Sequence, residues 1–319
     1  MFEKTMVSLP EFLQVNPLTN AIRRARSRRE YRRTGGQTSA RYWSGTHVDA
    51  PEAGFATVEA SLSHYRWRNS MYPGYIELMP TSGADGLNVL DYGCGPGNDV
   101  IGFGCYSKPS ALHAADVSAP SLGLAKARAD LHGIDVMFHQ IDEATSKVDL
   151  PDKSIDLIHC AGVLHHLPDP AVALAEWRRI LRAGGRAQVM VYHADSLWLH
   201  MHVAYDLQIR KGMYPGLTAY EAFHRTTDGE GCPIANCYSA EQFSALCESY
   251  GFSCVMIGAA MSLLELRTLP RRWDAFGDKR LPDIHREFLY GLTLNDRGWP
   301  LFNGRVAGLN ACFELKLKP

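Results

Sequence analysis

Residues 89–100 read VLDYGCGPGNDV, and the fold is decided by how they are read. Val89, Leu90 and Tyr92 have the apolar and aromatic character of a buried strand, and Asp91 interrupts them near the strand's carboxyl end. Gly93, Gly95 and Gly97 then alternate with Cys94 and Pro96. Without Cβ atoms the backbone can turn sharply there and approach a ligand closely. Asn98 and Asp99 are both good capping types, so a helix is expected to begin at one of them. Strand, glycine turn and helix start together place a nucleotide-like ligand at the end of a parallel sheet.

The spacing and the charges narrow the ligand. A dinucleotide fingerprint is G-x-G-x-x-G, whereas this turn is G-x-G-x-G with Asn98 where the last glycine would fall. A pyrophosphate favours a helix N-terminus free of competing negative charge. Asp91 and Asp99 flank this turn with carboxylates, which suits a ligand carrying positive charge and no phosphate. S-adenosylmethionine, with its ammonium and sulfonium, is such a ligand. A nicotinamide-dependent dehydrogenase is disfavoured on the same ground.

The following segments fall where this arrangement needs them. Residues 111–117 read as a second strand carrying Asp116 near its end, at the spacing where doubly wound sheets hold a ribose-binding acid. A helix is predicted over 120–131, a third strand over 135–141 and a fourth over 154–160. Residues 169–181 are expected to be a helix, because Ala171, Leu174, Trp177 and Ile180 recur every three residues, with Gly184 and Gly185 stopping it. A fifth strand is predicted over 186–192. Alternating strands and helices imply a mostly parallel sheet.

With these segments in place the chain resembles the class I S-adenosylmethionine-dependent methyltransferases, in the branch that includes the ubiquinone and menaquinone enzymes. The resemblance rests on VLDYGCGPGND, on AADVS around Asp116, and on SIDLIHCAGVLHHLPDPAVALAEWRRILRAGGRAQVMVY from Ser154 to Tyr192. It is strong over 88–192 and weaker over 238–257 and the final strand, 311–317. It implies a Rossmann-like, doubly wound α/β fold of seven mostly parallel strands with a terminal antiparallel strand, plus helical N-terminal and inserted cap elements. It also implies S-adenosylmethionine as cofactor, with S-adenosylhomocysteine as product. Gly93, Cys94, Gly95 and Gly97 would line the methionine half, and Asp91 would reach its ammonium. Asp116 and Val117 would hold the ribose end, Asp142 and Glu143 the adenine, and Ala161 and Gly162 would lie along the cofactor. The stretch Ile141-Asp142-Glu143 departs from the family's frequent Gly-Asp-Ala.

Three regions exceed a bare core. Residues 1–40 form a basic N-terminal arm, with seven arginines between Ala21 and Arg33, and residues 41–87 a helical lid region. In related enzymes a segment before the core folds over the cofactor, which points to Trp67 for the sulfonium and Arg68 for the methionine carboxylate. The core, 88–319, carries cap insertions at about 193–237 and 260–309. They are expected to enclose a substrate or to offer a homodimer surface.

Methyl transfer from a sulfonium needs alignment and exclusion of water more than covalent help. An oxygen acceptor usually also needs a base. His165 is the first choice because it follows the fourth strand, with His193, His224 and Asp228 as the others. His165 and His166 could equally organise the turn. Cys232 and Cys237 lack a matching second pair, and His200 and His202 would diverge on a helix, so no metal site is expected.

The formal net charge of −1 gives no global pull toward nucleic acid. No apolar run approaches the roughly 20 residues of a membrane span. Eight scattered cysteines suit reduced thiols in a cytoplasmic protein. The expected activity is methylation of a small-molecule acceptor such as a specialised metabolite, a sugar derivative or a lipid-linked precursor. The alternative is a catalytically silent S-adenosylmethionine-binding scaffold or regulatory protein. Oxygen, nitrogen and carbon acceptors are not distinguished by the sequence.

Overall fold

The computed structural model describes residues 39–46, 54–229 and 231–318. Residues 1–38 of the basic arm, with its seven arginines, lie outside the described residues. A seven-stranded sheet organises the rest, in the order β3-β2-β1-β4-β5-β10-β6. Its strands are β1 (Asn88–Tyr92), β2 (Ala111–Asp116), β3 (Met137–Gln140), β4 (Ile155–Ala161), β5 (Leu181–Tyr192), β6 (Phe252–Ala260) and β10 (Asn310–Leu317). The pairings from β3 through to β5 are parallel, and β10 runs antiparallel to both of its neighbours. Chain order reverses between β1 and β4, so a crevice opens beyond their carboxyl ends.

Alternation along the strands builds two packed faces. Leu90 and Ile158 point to a core with Trp177 and Ile180 of the helix Pro170–Ile180 and Phe243 of the helix Ala240–Ser249. Val89 and Leu157 point the other way, against Val100 and Phe103 of the helix Asn98–Tyr106 and Ala125 of the helix Ala119–His132. By the same parity Asp91 faces the Asn98–Tyr106 helix. Each core is apolar and closely covered, which is where most of the folding free energy originates.

The Gly184–Gly185 pair does something other than stop a helix. The helix ends at Ile180, and both glycines lie inside β5, where the pairing with β4 shifts register between Ile155 and Leu157. Gly184 takes φ +79°, a backbone setting that favours glycine.

The two insertions meet and share one core of their own. The π-helix Trp198–Arg210 is its axis, and Leu199, Met201 and Val203 pack there with Phe223, Phe288 and Leu309. Because neighbours surround it, this helix buries residues on every side, including His200 and Asp206, rather than one stripe. The second insertion also supplies a small antiparallel sheet of β7 (Thr293–Leu294), β8 (Pro300–Phe302) and β9 (Arg305–Val306). Among the described residues no helix is long and apolar enough to cross a membrane.

Candidate active site

A large cavity opens where the sheet reverses. The glycine turn forms its floor. Gly93, Gly95 and Gly97 have φ of +81°, +50° and +79°. A Cβ on Gly93 would come within 2.2 Å of Val163, and one on Gly97 within 3.0 Å of Ala125, whereas one on Gly95 would meet nothing within 4 Å. Gly93 and Gly97 therefore allow close packing beneath the turn, while Gly95 leaves open space at the cavity. Its N–H donates to Asp116 Oδ2 at 2.9 Å, and Ser118 N–H donates to Asp116 Oδ1 at 2.8 Å. Two backbone donors thus fix the Asp116 carboxylate at the cavity wall.

Beneath the turn lies a chain of buried polar groups. Gln188 Nε2 donates both to the Pro80 carbonyl at 2.8 Å and to His159 Nδ1 at 2.6 Å. His159 therefore carries its hydrogen on Nε2, 3.3 Å from Asp99 Oδ2. Arg68 Nη1 lies 3.4 Å from Asp99 Oδ1. Burial works against the ionised form of Asp99, but Arg68 and His159 outweigh it and hold the carboxyl below its usual range. Asp91 lacks the hydrogen bonds that Asp99 has: its Oδ2 is buried without a hydrogen-bond partner. Burial, reinforced by the Asp99 and Asp116 charges and opposed by His159, pushes the Asp91 carboxyl up to about 7.

The helix Ser39–Gly45 closes one side. Its Ala40 N–H donates to Glu143 Oε1 at 3.2 Å, and Trp43 meets the His166 ring edge-on at 4.9 Å. The opposite end is walled by Tyr72, Met190, Tyr192, His166 and Asp228. Tyr192 donates to both Asp228 oxygens, at 2.9 and 3.0 Å, and Thr227 Oγ1 donates to Oδ2 at 2.7 Å. Tyr42 donates to the Asp228 carbonyl.

Of the residues singled out from sequence, Gly93, Cys94, Gly95, Asp116, Val117, Glu143, Ala161, Gly162, Arg68 and Asp228 line this cavity. Gly97 supports it from below. Trp67 is 47% exposed and lies away from it. Asp142 is exposed and closes its own turn, accepting from Ala144 N, Thr145 N and Thr145 Oγ1. His165 is fully buried, its ring 3.8 Å from that of Tyr192. His193 is buried and donates to the Gly308 carbonyl, and His224 accepts from Ala235 N at 3.2 Å. His166, Trp43, Tyr72, Tyr192 and Asn98 line the cavity as well. The HHLP turn and the aromatic run before the core were the sequence signals for several of them.

Comparison with known proteins agrees with this geometry. A family model described as a methyltransferase domain matches residues 90–189. Residues 90–189 are a methyltransferase domain. The match runs from within β1 to within β5, and the sheet continues beyond it through β6 and the antiparallel β10. Among similar curated proteins are a probable methyltransferase, ltbC, of Aspergillus luteorubrus and a ubiquinone biosynthesis O-methyltransferase of Sodalis glossinidius. The first is 36% identical over 106 residues, 30% of this chain and 37% of that protein. The second is 27% identical over 163 residues, 51% of this chain and 64% of that protein. The chain thus spans less than two thirds of either relative. A solved structure, the YcgJ protein of Bacillus subtilis, is 18% identical with a TM-score of 0.48, covering 77% of this chain and 97% of that one.

Proposed function

We propose that the chain transfers the methyl group of S-adenosylmethionine to a heteroatom of a small-molecule acceptor, with oxygen the favoured atom. The observation that carries this reading is Asp91. A buried carboxylate oxygen without a partner, below a glycine turn whose middle residue faces open space, fits a ligand that brings a cation and a close-lying chain. A bound ammonium would favour the ionised carboxylate that burial disfavours. Asp91 lies beneath the cavity rather than on its wall, whereas Arg68 lines the cavity itself and can meet a carboxylate. Asp116, held by two backbone donors, presents acceptor oxygens to ribose hydroxyls. Glu143 faces the cavity at the adenine end, where Asp142 is occupied by its own turn.

Bound there, the cofactor supplies an electrophilic methyl group. The chain's own residues align the acceptor and exclude water. Tyr72, Met190 and Tyr192 give an apolar and aromatic wall for a planar or lipid-like acceptor, and His166 and Asp228 are the polar groups facing its reacting atom. The oxygen preference draws support from this wall and from the relatives named as O-methyltransferases. A specialised metabolite, a sugar derivative or a lipid-linked precursor suits the wall. Its eight free thiols, seven of them buried, suit a reducing cytoplasm. The test is S-adenosylhomocysteine release from the purified chain over a panel of phenols, sugars and amines. Turnover with a hydroxyl acceptor supports the reading, and cofactor binding without turnover on any class favours a silent scaffold.

A further inference from the structure

Two neutral polar residues line the cavity over the half of the sheet that holds β5, β10 and β6. Tyr75 opens the short helix Tyr75–Leu78, is 2% exposed, and its hydroxyl is buried without a hydrogen-bond partner. Asn310 opens β10 and is 3% exposed.

The sheet brings the two together. Asn310 is paired with Tyr192 of β5 on one side and with Ala260 of β6 on the other. Directly paired residues, and residues two apart on a strand, point to the same face. Ala260 and Cys312 therefore share the face of Asn310, and Tyr75 packs there with Ala260, Cys312 and Met190. Burial raises the Tyr75 phenol well above its ordinary value near 10, so it keeps its hydrogen and stays a donor. The Asn310 carboxamide also offers N–H donors. A buried hydroxyl without a partner is costly, and phenylalanine would fill nearly the same volume without that cost. A ligand oxygen that accepts from the phenol removes it. Arg68, whose guanidinium lies 5.4 Å from the centre of the Tyr75 ring, serves a carboxylate better than either residue. Two neutral donors suit a neutral oxygen, and they match the two lone pairs of a carbonyl.

We propose that Tyr75 and Asn310 donate to a carbonyl oxygen of the acceptor, so that the substrate is a hydroxylated carbonyl compound rather than a plain alcohol or phenol. This subsite rests on the reading of the cavity as a methyl-transfer site. The carbonyl fixes which of the acceptor's hydroxyls reaches His166 and Asp228. A site built to hydrogen-bond one substrate group rejects the analogue that lacks it, because its own buried donors are left unpaired.

The experiment uses the full chain, with and without S-adenosylhomocysteine. The probes are the three isomeric hydroxyacetophenones, each against the ethylphenol of the same substitution, with dissociation constants read by ligand-observed NMR. At least one ketone should bind about 10–100-fold more tightly than its ethyl partner, and Tyr75→Phe and Asn310→Ala should each cut that preference by about 10-fold. Without ligand, Tyr75→Phe should melt at least as high as the parent, since it deletes an unpaired buried hydroxyl. Tyr106→Phe, at an exposed tyrosine, should change neither quantity. Equal binding within every pair, binding of no probe, or a preference that survives Tyr75→Phe overturns the subsite. So does a lower melting temperature for Tyr75→Phe, which would give the hydroxyl a partner within the chain. Calorimetry with S-adenosylhomocysteine on the same samples separates the two claims. If Tyr75→Phe weakens that binding and leaves the ketone preference intact, the phenol serves the cofactor and the subsite fails. Cofactor binding with no ketone preference overturns the subsite and leaves the cavity reading standing. A Tyr75-dependent preference without cofactor binding supports the subsite and overturns the cavity reading.

Discussion

The Gly95 N–H donates to Asp116 Oδ2 across 2.9 Å, so the glycine turn after one strand and the acid ending the next are a single unit. The turn holds the carboxylate, and the carboxylate holds the turn open beneath the cavity.

Removing that carboxylate has a readable consequence. Asp116→Ala should weaken S-adenosylmethionine binding by about 1.5–3 kcal/mol, the scale of hydrogen bonds to a charged group. Titration calorimetry of the two proteins checks it, and unchanged affinity would place the ribose elsewhere.

The glycines separate packing from ligand space. Gly93→Ala sets a Cβ 2.2 Å from Val163 at φ +81° and should lower stability by at least about 1–3 kcal/mol. Gly95→Ala bears only the backbone strain of φ +50° and should melt closer to the parent while losing cofactor affinity. Thermal melts with cofactor titrations on both variants decide whether the open space at Gly95 is ligand space.

Adjacent histidines should behave oppositely. His165, packed on Tyr192 and kept neutral by burial, should cost about 1–3 kcal/mol of stability when replaced by alanine. His166→Gln should melt near the parent yet lower turnover by about 10²-fold or more, the scale of losing activation of the acceptor's proton. Melts paired with single-turnover rates on an identified acceptor check both.

Acid should loosen the lobe made by the insertions. His200 and His285 are buried with their Nδ1 atoms 2.9 Å apart. Burial lowers both, and His285 falls to about 4 from its ordinary 6.5. Above pH 6.5 neither the folded nor the unfolded chain protonates these rings. Below it the unfolded chain takes up protons that the folded chain refuses, so stability falls between pH 6.5 and 4. The loss for His285 is on the order of 3 kcal/mol. Denaturant melts across that range should show it, and His285→Phe should flatten the slope.

The sequence makes the core legible because its signals are local. Val89–Tyr92, the three glycines and Asp116 lie within one βαβ unit, and strand and helix periods do not depend on distant residues. Side-chain direction at a turn is less accessible. At three places the cavity is met by one of two adjacent residues: Arg68 beside Trp67, Glu143 beside Asp142, and His166 beside His165. Sequence locates each pair, but only the packed chain chooses the member. The π-helix and the small sheet are harder still, since their burial arises where the two separate insertions meet.

The most direct test of the account is a calorimetric titration of the full chain with S-adenosylmethionine and, separately, with a nicotinamide dinucleotide. The account predicts micromolar binding of the first, roughly 7–8 kcal/mol, and none of the second. Binding of the dinucleotide without binding of S-adenosylmethionine would contradict it.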